Sequence, residues 1–157
     1  MTSFNATIDD REISAAFART IAAAENPYGY LDAIGRALVE STRLRFIDSR
    51  GPDGSPWAAV LRGGQPLRNT GTHLMNAVNH IVQGNSVLVG VPPAWAAVHQ
   101  FGAEIPAKVA AFLRFKVGDR WAMKKSVTIP ARPFLGISGE DESAISQILR
   151  TQLVEAK

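Results

Sequence analysis

Three histidines, His73, His80 and His99, are the side chains of this 157-residue chain that titrate near neutral pH, so they bound its acid–base and metal chemistry. His73 and His80 are seven residues apart, which on one short helix places them on the same face two turns apart. Two ligands of one metal need an i, i+4 spacing instead, and the pair reads as surface polar residues. His99 lies in Trp95-Ala96-Ala97-Val98-His99-Gln100-Phe101-Gly102, among apolar neighbours, and reads as a hydrogen-bonded structural histidine rather than a base. The acidic clusters Asp9-Asp10-Glu12 and Glu140-Asp141-Glu142 both stand at expected helix starts, where the macrodipole favours negative charge, and capping accounts for them. Neither Gly63-Gly64 nor Gly71 leads to the Lys-Ser or Lys-Thr pair of a phosphate loop. Asp48 to Gly54 has too few acids and no closing Glu for a calcium loop. With no cysteine, a disulfide, a thiolate metal site and a cysteine nucleophile are excluded. The residues offer no catalytic, cofactor-binding or metal site, and no cofactor is expected.

What remains is charge. The net charge of +3 is uneven: residues 1–42 carry −3, residues 43–132 carry +8 and residues 133–157 carry −2. A basic middle between acidic ends fits a polyanion partner, contacts between copies, or simply a solvated basic face. Its cations include Arg114, Lys116, Lys124 and Lys125, which could track a phosphate backbone without reading sequence. No DNA-reading helix or RNA-stacking motif accompanies them, which argues against sequence-specific binding.

The elements that must position these residues follow from periodicity. Caps at Thr7 to Asp10 and the stripe Ile13, Ala16, Phe17, Ile21 and Ala24 predict a helix ending near Pro27. A second helix is predicted from Tyr28 to Ile47, with Leu31, Ile34, Leu38, Thr42 and Phe46 on the buried face. These two helices are expected to pack together and, with the last helix, to form one core. Turn-forming runs make residues 48–70 an extended loop around Trp57. Thr70 then caps a short helix carrying Leu74, Ala77, Val78 and Ile81, and Ser86 to Gly90 follows as a buried strand. Pro92-Pro93 opens a further short helix from Ala94 to about Gln100. Leu113, Phe115 and Val117 alternate with Arg114 and Lys116, Gly118-Asp119-Arg120 turns the chain, and Trp121, Met123, Val127 and Ile129 return it as a hairpin. Its outward face is expected to carry Arg114, Lys116 and Lys124, with Lys125 marking a bulge or an interface. Ser138 and Asp141 resemble a capping box for a last helix striped with Ile145, Ile148, Leu149 and Leu153. The expected fold is α+β, with helices packed on a small, mostly antiparallel sheet, a long β-hairpin and an extended loop. It forms a single domain over residues 1–157, of which 1–6 are expected to be flexible. No window approaches the ~18 apolar residues of a membrane span, and no signal-like segment begins the chain, so a soluble protein with no membrane partner is expected.

Five short pieces, in order, carry a resemblance. They are Gly51-Pro52-Asp53-Gly54-Ser55-Pro56-Trp57; Pro66-Leu67-Arg68-Asn69-Thr70-Gly71 followed by Leu74; Val89-Gly90; Ala97-Val98-His99-Gln100-Phe101-Gly102; and Ile129-Pro130-Ala131-Arg132-Pro133-Phe134-Leu135-Gly136. In this order the chain, from about residue 35 to 155, resembles the phage virion-morphogenesis, or tail-completion, family of the phage Mu G protein and phage P2 S protein type. A tyrosine expected before Ala97 is replaced by Trp95-Ala96, and Glu104 to Ser126 has no family motif. The resemblance implies a non-catalytic structural protein of the virion, assembled in the host cytoplasm. Its place would be in the tail or neck, as a tail completion protein, tail terminator or head-tail connector. It further implies a homo-oligomeric ring, a hexamer, contacting tail-tube and neck proteins and touching genomic DNA nonspecifically in the channel.

Candidate residues for an oligomer interface or lumen are Arg114, Lys116, Lys124, Lys125, Trp57, Arg132 and Phe134. The turn-rich surroundings of Trp57 and of Arg132 to Gly136 give little reason for burial within one subunit, so these segments are expected to serve assembly more than folding. Two rivals stand beside this reading: a nonspecific DNA-binding or packaging-associated protein, and an assembly chaperone absent from the virion.

Overall fold

The computed structural model describes residues 11–68, 73–92, 95–108, 111–117 and 120–154. The expected flexible start, the caps at Thr7 to Asp10 and at Thr70, Pro93-Ala94 and the turn residues Gly118-Asp119 lie outside the described residues.

Helix α1 spans Arg11–Glu25 and α2 spans Tyr28–Asp48, separated by Pro27, which has no N–H to donate and so tolerates a helix start. The buried face of α2 is Leu31, Ile34, Gly35, Val39, Thr42, Arg45 and Phe46, a 3.6-residue rhythm. It runs one residue away from the expected stripe at Val39, leaving Leu38 half-buried. Gly35 lies on this face: a Cβ there would collide with the His80 ring and stand 2.9 Å from Val87, so the missing side chain lets the strand pair below settle on α2. The helix ends at Ser49 in the left-handed conformation (φ 55°), its N–H returning to the Arg45 carbonyl.

After the loop, α3 is one turn, His73–Asn76, followed by β1 (Asn79–Gln83) and β2 (Ser86–Gly90), an antiparallel pair. The expected helix through Ile81 is corrected here. The Asn79 side chain accepts the His80 N–H at 2.8 Å, a local bond that competes with helix, and Gly84 at φ 58° closes a two-residue turn. Nor is β2 a buried strand: Val87 and Val89 are half-buried while Leu88, opposite Ile81, is exposed.

Next come α4 (Ala96–Phe101), β3 (Ala103–Pro106), β4 (Leu113–Val117), β5 (Arg120–Lys124), β6 (Ser126–Ile129), α5 (Gly139–Leu149) and a closing π-helical segment, Arg150–Val154. The fold is a mixed α+β single domain with three separate two-stranded antiparallel ladders among the described residues, β1-β2, β3-β6 and β4-β5. The expected hairpin return strand splits at Lys125. Its first half pairs with β4, while its second half crosses to β3, a four-residue strand too short and too poor in β-branched residues to announce itself.

The core gathers Val39, Phe46, Trp57, Leu74, Val78, Ala96 and Phe134. Phe46 is its centre, with ring centroids 5.5 Å from Trp57 and 5.2 Å from Phe134. The expectation of one core from the first, second and last helices is corrected: Phe17 and Ile21 of α1 are 66% and 57% exposed, and α5 packs on α2 but adds none of Ile145, Ile148 and Leu149, which are half-buried, to this cluster. Helix α1 packs chiefly on the C-terminal π-helical segment, where the Thr20 hydroxyl donates to the Leu153 carbonyl at 2.9 Å. Phe46→Ala should lower the unfolding free energy by about 3–5 kcal/mol in urea titration, whereas Phe17→Ala should change it by less than about 1 kcal/mol. Equal losses would place α1 in the core.

Candidate functional site

Trp57, Arg132 and Phe134 meet inside the subunit. The Trp57 indole donates to the Pro133 carbonyl at 2.8 Å. Arg132 donates from Nε to the Ala58 carbonyl at 2.8 Å and from its terminal nitrogen to the Ala59 carbonyl at 3.1 Å. Its own N–H binds the His99 carbonyl at 2.7 Å. Gln100 of α4 completes the attachment: its side-chain oxygen accepts the N–H groups of Phe134 and Leu135, and its amide donates to the Leu135 carbonyl, each at 3.0 Å. Phe134 is 1% exposed, and Trp57 and Arg132 are also buried. The expectation that these turn-rich segments lack a reason for burial within one subunit is therefore corrected. Two irregular segments, individually unable to satisfy their backbone groups, do so against each other and against α4.

Sequence reasoning missed the pair that anchors this clasp. Arg45, buried on α2, donates to the carbonyls of Phe134 at 2.9 Å and Gly136 at 2.8 Å and forms an ion pair with Asp141. Asp141 closes the expected capping box with Ser138, both reciprocal bonds being present. Its carboxyl is pushed up by burial, but hydrogen bonds from Ser41 and Ser138 and the charge of Arg45 outweigh this and hold it below the usual carboxylate range. Capping thus explains only part of the second acidic cluster. The signal for Arg45 was present in the sequence as a cation on the same helical stripe as Thr42 and Phe46.

The histidines separate. His73 is exposed. His80 is half-buried on β1 with Nε2 2.9 Å from Asp32 Oδ1, while Arg36 pairs with the other Asp32 oxygen. The surface reading of His80 is corrected, because it clasps β1 to α2. The His80 bond, then Arg36, holds the Asp32 carboxyl below its ordinary value. The expectation of a hydrogen-bonded structural histidine is corrected at the ring Nδ1 of His99, which is buried without a hydrogen bond among the described residues, while the backbone carbonyl accepts the Arg132 N–H. Burial, then the Arg132 charge, pushes that imidazole below its ordinary value. Among the described residues no group of three or more His, Asp or Glu could hold a metal ion, and no helix is long and apolar enough to cross a membrane.

The basic hairpin stands apart from the clasp. Its register pairs Arg114 with Met123, Lys116 with Trp121, and Leu113 with Lys124. Opposed residues of an antiparallel pair share a face, so Arg114, Lys116, Trp121 and Met123 lie together and Lys124 lies on the other face with Leu113. The expectation of one outward face for Arg114, Lys116 and Lys124 is corrected by this parity. In this register odd positions of β4 pair with even positions of β5. Trp121 and Met123, expected inward, are 61% and 63% exposed, and the Arg114 guanidinium stacks 4.4 Å over the Trp121 ring. Lys125 sits where the strand changes partner, its carbonyl accepting the Ala107 N–H at 2.8 Å.

The model of the phage virion morphogenesis family matches residues 8–154. The chain belongs to this family. It is 27% identical over 122 residues to tail completion protein S of Escherichia phage P2, covering 76% of this chain and 79% of that one. It is also 34% identical over 85 residues to Mu-like prophage FluMu G protein 2 of Haemophilus influenzae, covering 54% of this chain and 49% of that one. No solved structure matches. The match extends the resemblance across α1. Three of the five pieces that carried it, those around Trp57, Gln100 and Arg132 to Gly136, are the pieces that the clasp joins.

Two outcomes follow from the clasp. Trp57→Ala should destabilise the isolated subunit by about 3–5 kcal/mol in denaturant titration; a subunit of unchanged stability would return Trp57 to the surface. For Asp141, the folded carboxyl is the stronger acid, so its contribution is complete above about pH 5 and is lost as the pH falls through the folded value. Asp141→Asn should be less stable at neutral pH and should show a shallower loss of stability between about pH 5 and 2, measured by urea titration across pH.

Proposed function

We propose that this family member is a non-catalytic virion subunit that forms a ring, a hexamer, completing or terminating the tail or forming the neck at the head-tail junction. The phage P2 relative's name supports tail completion. The observation that carries self-assembly is the β4-β5 hairpin, whose main packing is within itself and which leaves Trp121 and Met123 exposed beside Arg114. A large aromatic ring in water, on a strand pair with unpaired edges, is costly for a monomer and useful between subunits. A heterologous contact of this kind closes by rotation into a ring. Tail-tube and neck proteins would be its axial neighbours, in a virion assembled in the host cytoplasm.

A second reading has its own support. Arg120 and Lys124 lie on the hairpin face opposite Arg114 and Lys116, so cations remain for a DNA passage even when one face is covered. Contacts to phosphate there would be nonspecific and salt-sensitive. Arg114→Glu with Lys116→Glu should abolish oligomers in native mass spectrometry if the hairpin is an interface. Rings that persist, with head-tail joining normal and DNA ejection altered, would place the hairpin in the passage. Absence of the chain from purified virions by mass spectrometry would leave an assembly chaperone.

A further inference from the structure

An open groove runs over the clasp's anchor, where α2, the loop at 50–54 and the start of α5 meet, with Arg45 and Asp141 in its lining. It is formed by two adjoining cavities of about 740 and 610 Å³ that share Pro52, Gly54, Ser138, Glu140 and Ala144. Four exposed carboxylates border it, Glu40, Asp48, Asp53 and Glu140, and its apolar part is contributed by residues such as Leu44 and Ala144. Of the two cations in its lining, Arg45 is buried on Asp141 and Arg50 donates to the Gly54 carbonyl at 2.9 Å. The groove is therefore acidic with an apolar lining. Bonds from Ser55 hold the Asp53 carboxyl below its usual value, which keeps that charge in place.

The hairpin has the complementary character. Strands β4 and β5 carry Arg114, Lys116, Arg120 and Lys124 and no carboxylate, and one face combines cations with exposed Trp121 and Met123. Apolar surface flanked by cations meets apolar surface flanked by carboxylates, and charge complementarity both fixes register and speeds encounter. The two surfaces differ, as a contact that propagates head to tail requires; identical patches would stop at a dimer.

We infer that the groove between α2 and α5 is the seat of the β4-β5 hairpin of a second copy of this chain, an inference that rests on the ring reading above. Trp121 and Met123 lie against Leu44 and Ala144, and the hairpin cations meet Asp48 and Glu140. The charged contacts weaken when salt shortens the screening length below ~8 Å.

Native mass spectrometry of the full chain, at several concentrations and salt levels, tests this. Asp48→Lys with Glu140→Lys should lose all species above monomer, as should Arg114→Glu with Lys116→Glu, and combining the four substitutions in one chain should restore them. The chain has no cysteine, so cross-linking offers a second arm with native charges. Copies bearing Met123→Cys mixed with copies bearing Ala144→Cys should form a disulfide dimer that neither forms alone, and this arm decides if a charge variant fails to fold. Oligomers that survive groove reversal but not hairpin reversal, or a cross-link between two Met123→Cys copies, would remove the groove while leaving the ring standing. A wild-type chain that stays monomeric without cross-linking would remove both.

Discussion

The buried guanidinium of Arg45 is the constraint on which the rest of the subunit depends. A cation taken out of water costs several kcal/mol unless its donors are met by a well-placed anion and carbonyls. Here one side chain near the end of α2 reaches the carbonyls of Phe134 and Gly136, the Ser41 hydroxyl and the Asp141 carboxylate. Those partners come from three places in the chain, so the requirement fixes where α5 begins and how the irregular segment before it runs. The Asp141 oxygen that accepts Arg45 also accepts the Ser138 N–H, so one carboxylate oxygen serves both the helix cap and the ion pair.

From that anchor the clasp propagates. With Phe134 held at its carbonyl by Arg45 and at its N–H by Gln100, its ring is directed onto Phe46, and Pro133 is left to receive the Trp57 indole. The loop after α2, which has no regular structure beyond a bridge between Arg50 and Pro56, is thereby fixed at its Trp57 end by core packing and at Ala58 and Ala59 by Arg132. An irregular loop held at this many points can present a defined shape to a neighbour, which a free turn of the same composition could not do without losing conformational entropy on contact.

Much of this was legible in the residues, and the failures have physical causes. The span of α2, the capping box at Ser138 and the first strand of the basic hairpin follow from local periodicity and turn chemistry, which act over a few residues. The short strand at β1 was hidden because Leu74, Ala77, Val78 and Ile81 satisfy a helical spacing, while the local bond at Asn79 and the turn at Gly84 favour a strand pair, for which Gly35, on a helix some forty residues earlier, leaves room. The hairpin faces were misassigned because parity depends on the turn length rather than on alternation within either strand. The interior positions of Trp57 and Arg132 rest on backbone carbonyls of distant segments, and a carbonyl has no signature in a sequence.

Although the clasp draws Trp57, Phe134 and Phe46 inward, large apolar residues stay outside on several elements: Leu61 in the loop after α2, Phe101 on α4, Phe17 and Ile21 on α1, Ile81 and Leu88 on the first hairpin, and Trp121 and Met123 on the second. The two hairpins and α1 pack within the subunit slightly or on one side, whereas the groove beside α5 is built on the Arg45–Asp141 pair. In the proposed ring this division would assign the roles of arm and receptor. A rigid receptor surface lowers the ordering cost of each contact, while a projecting two-stranded arm can adjust its angle to the rotation that closes a ring. An arm and a receptor of opposite charge on one chain also disfavour contact between like surfaces, arm against arm or groove against groove. In the proposed ring a subunit built this way would add copies in one direction, and the number at which it closes would be set by the angle between arm and groove.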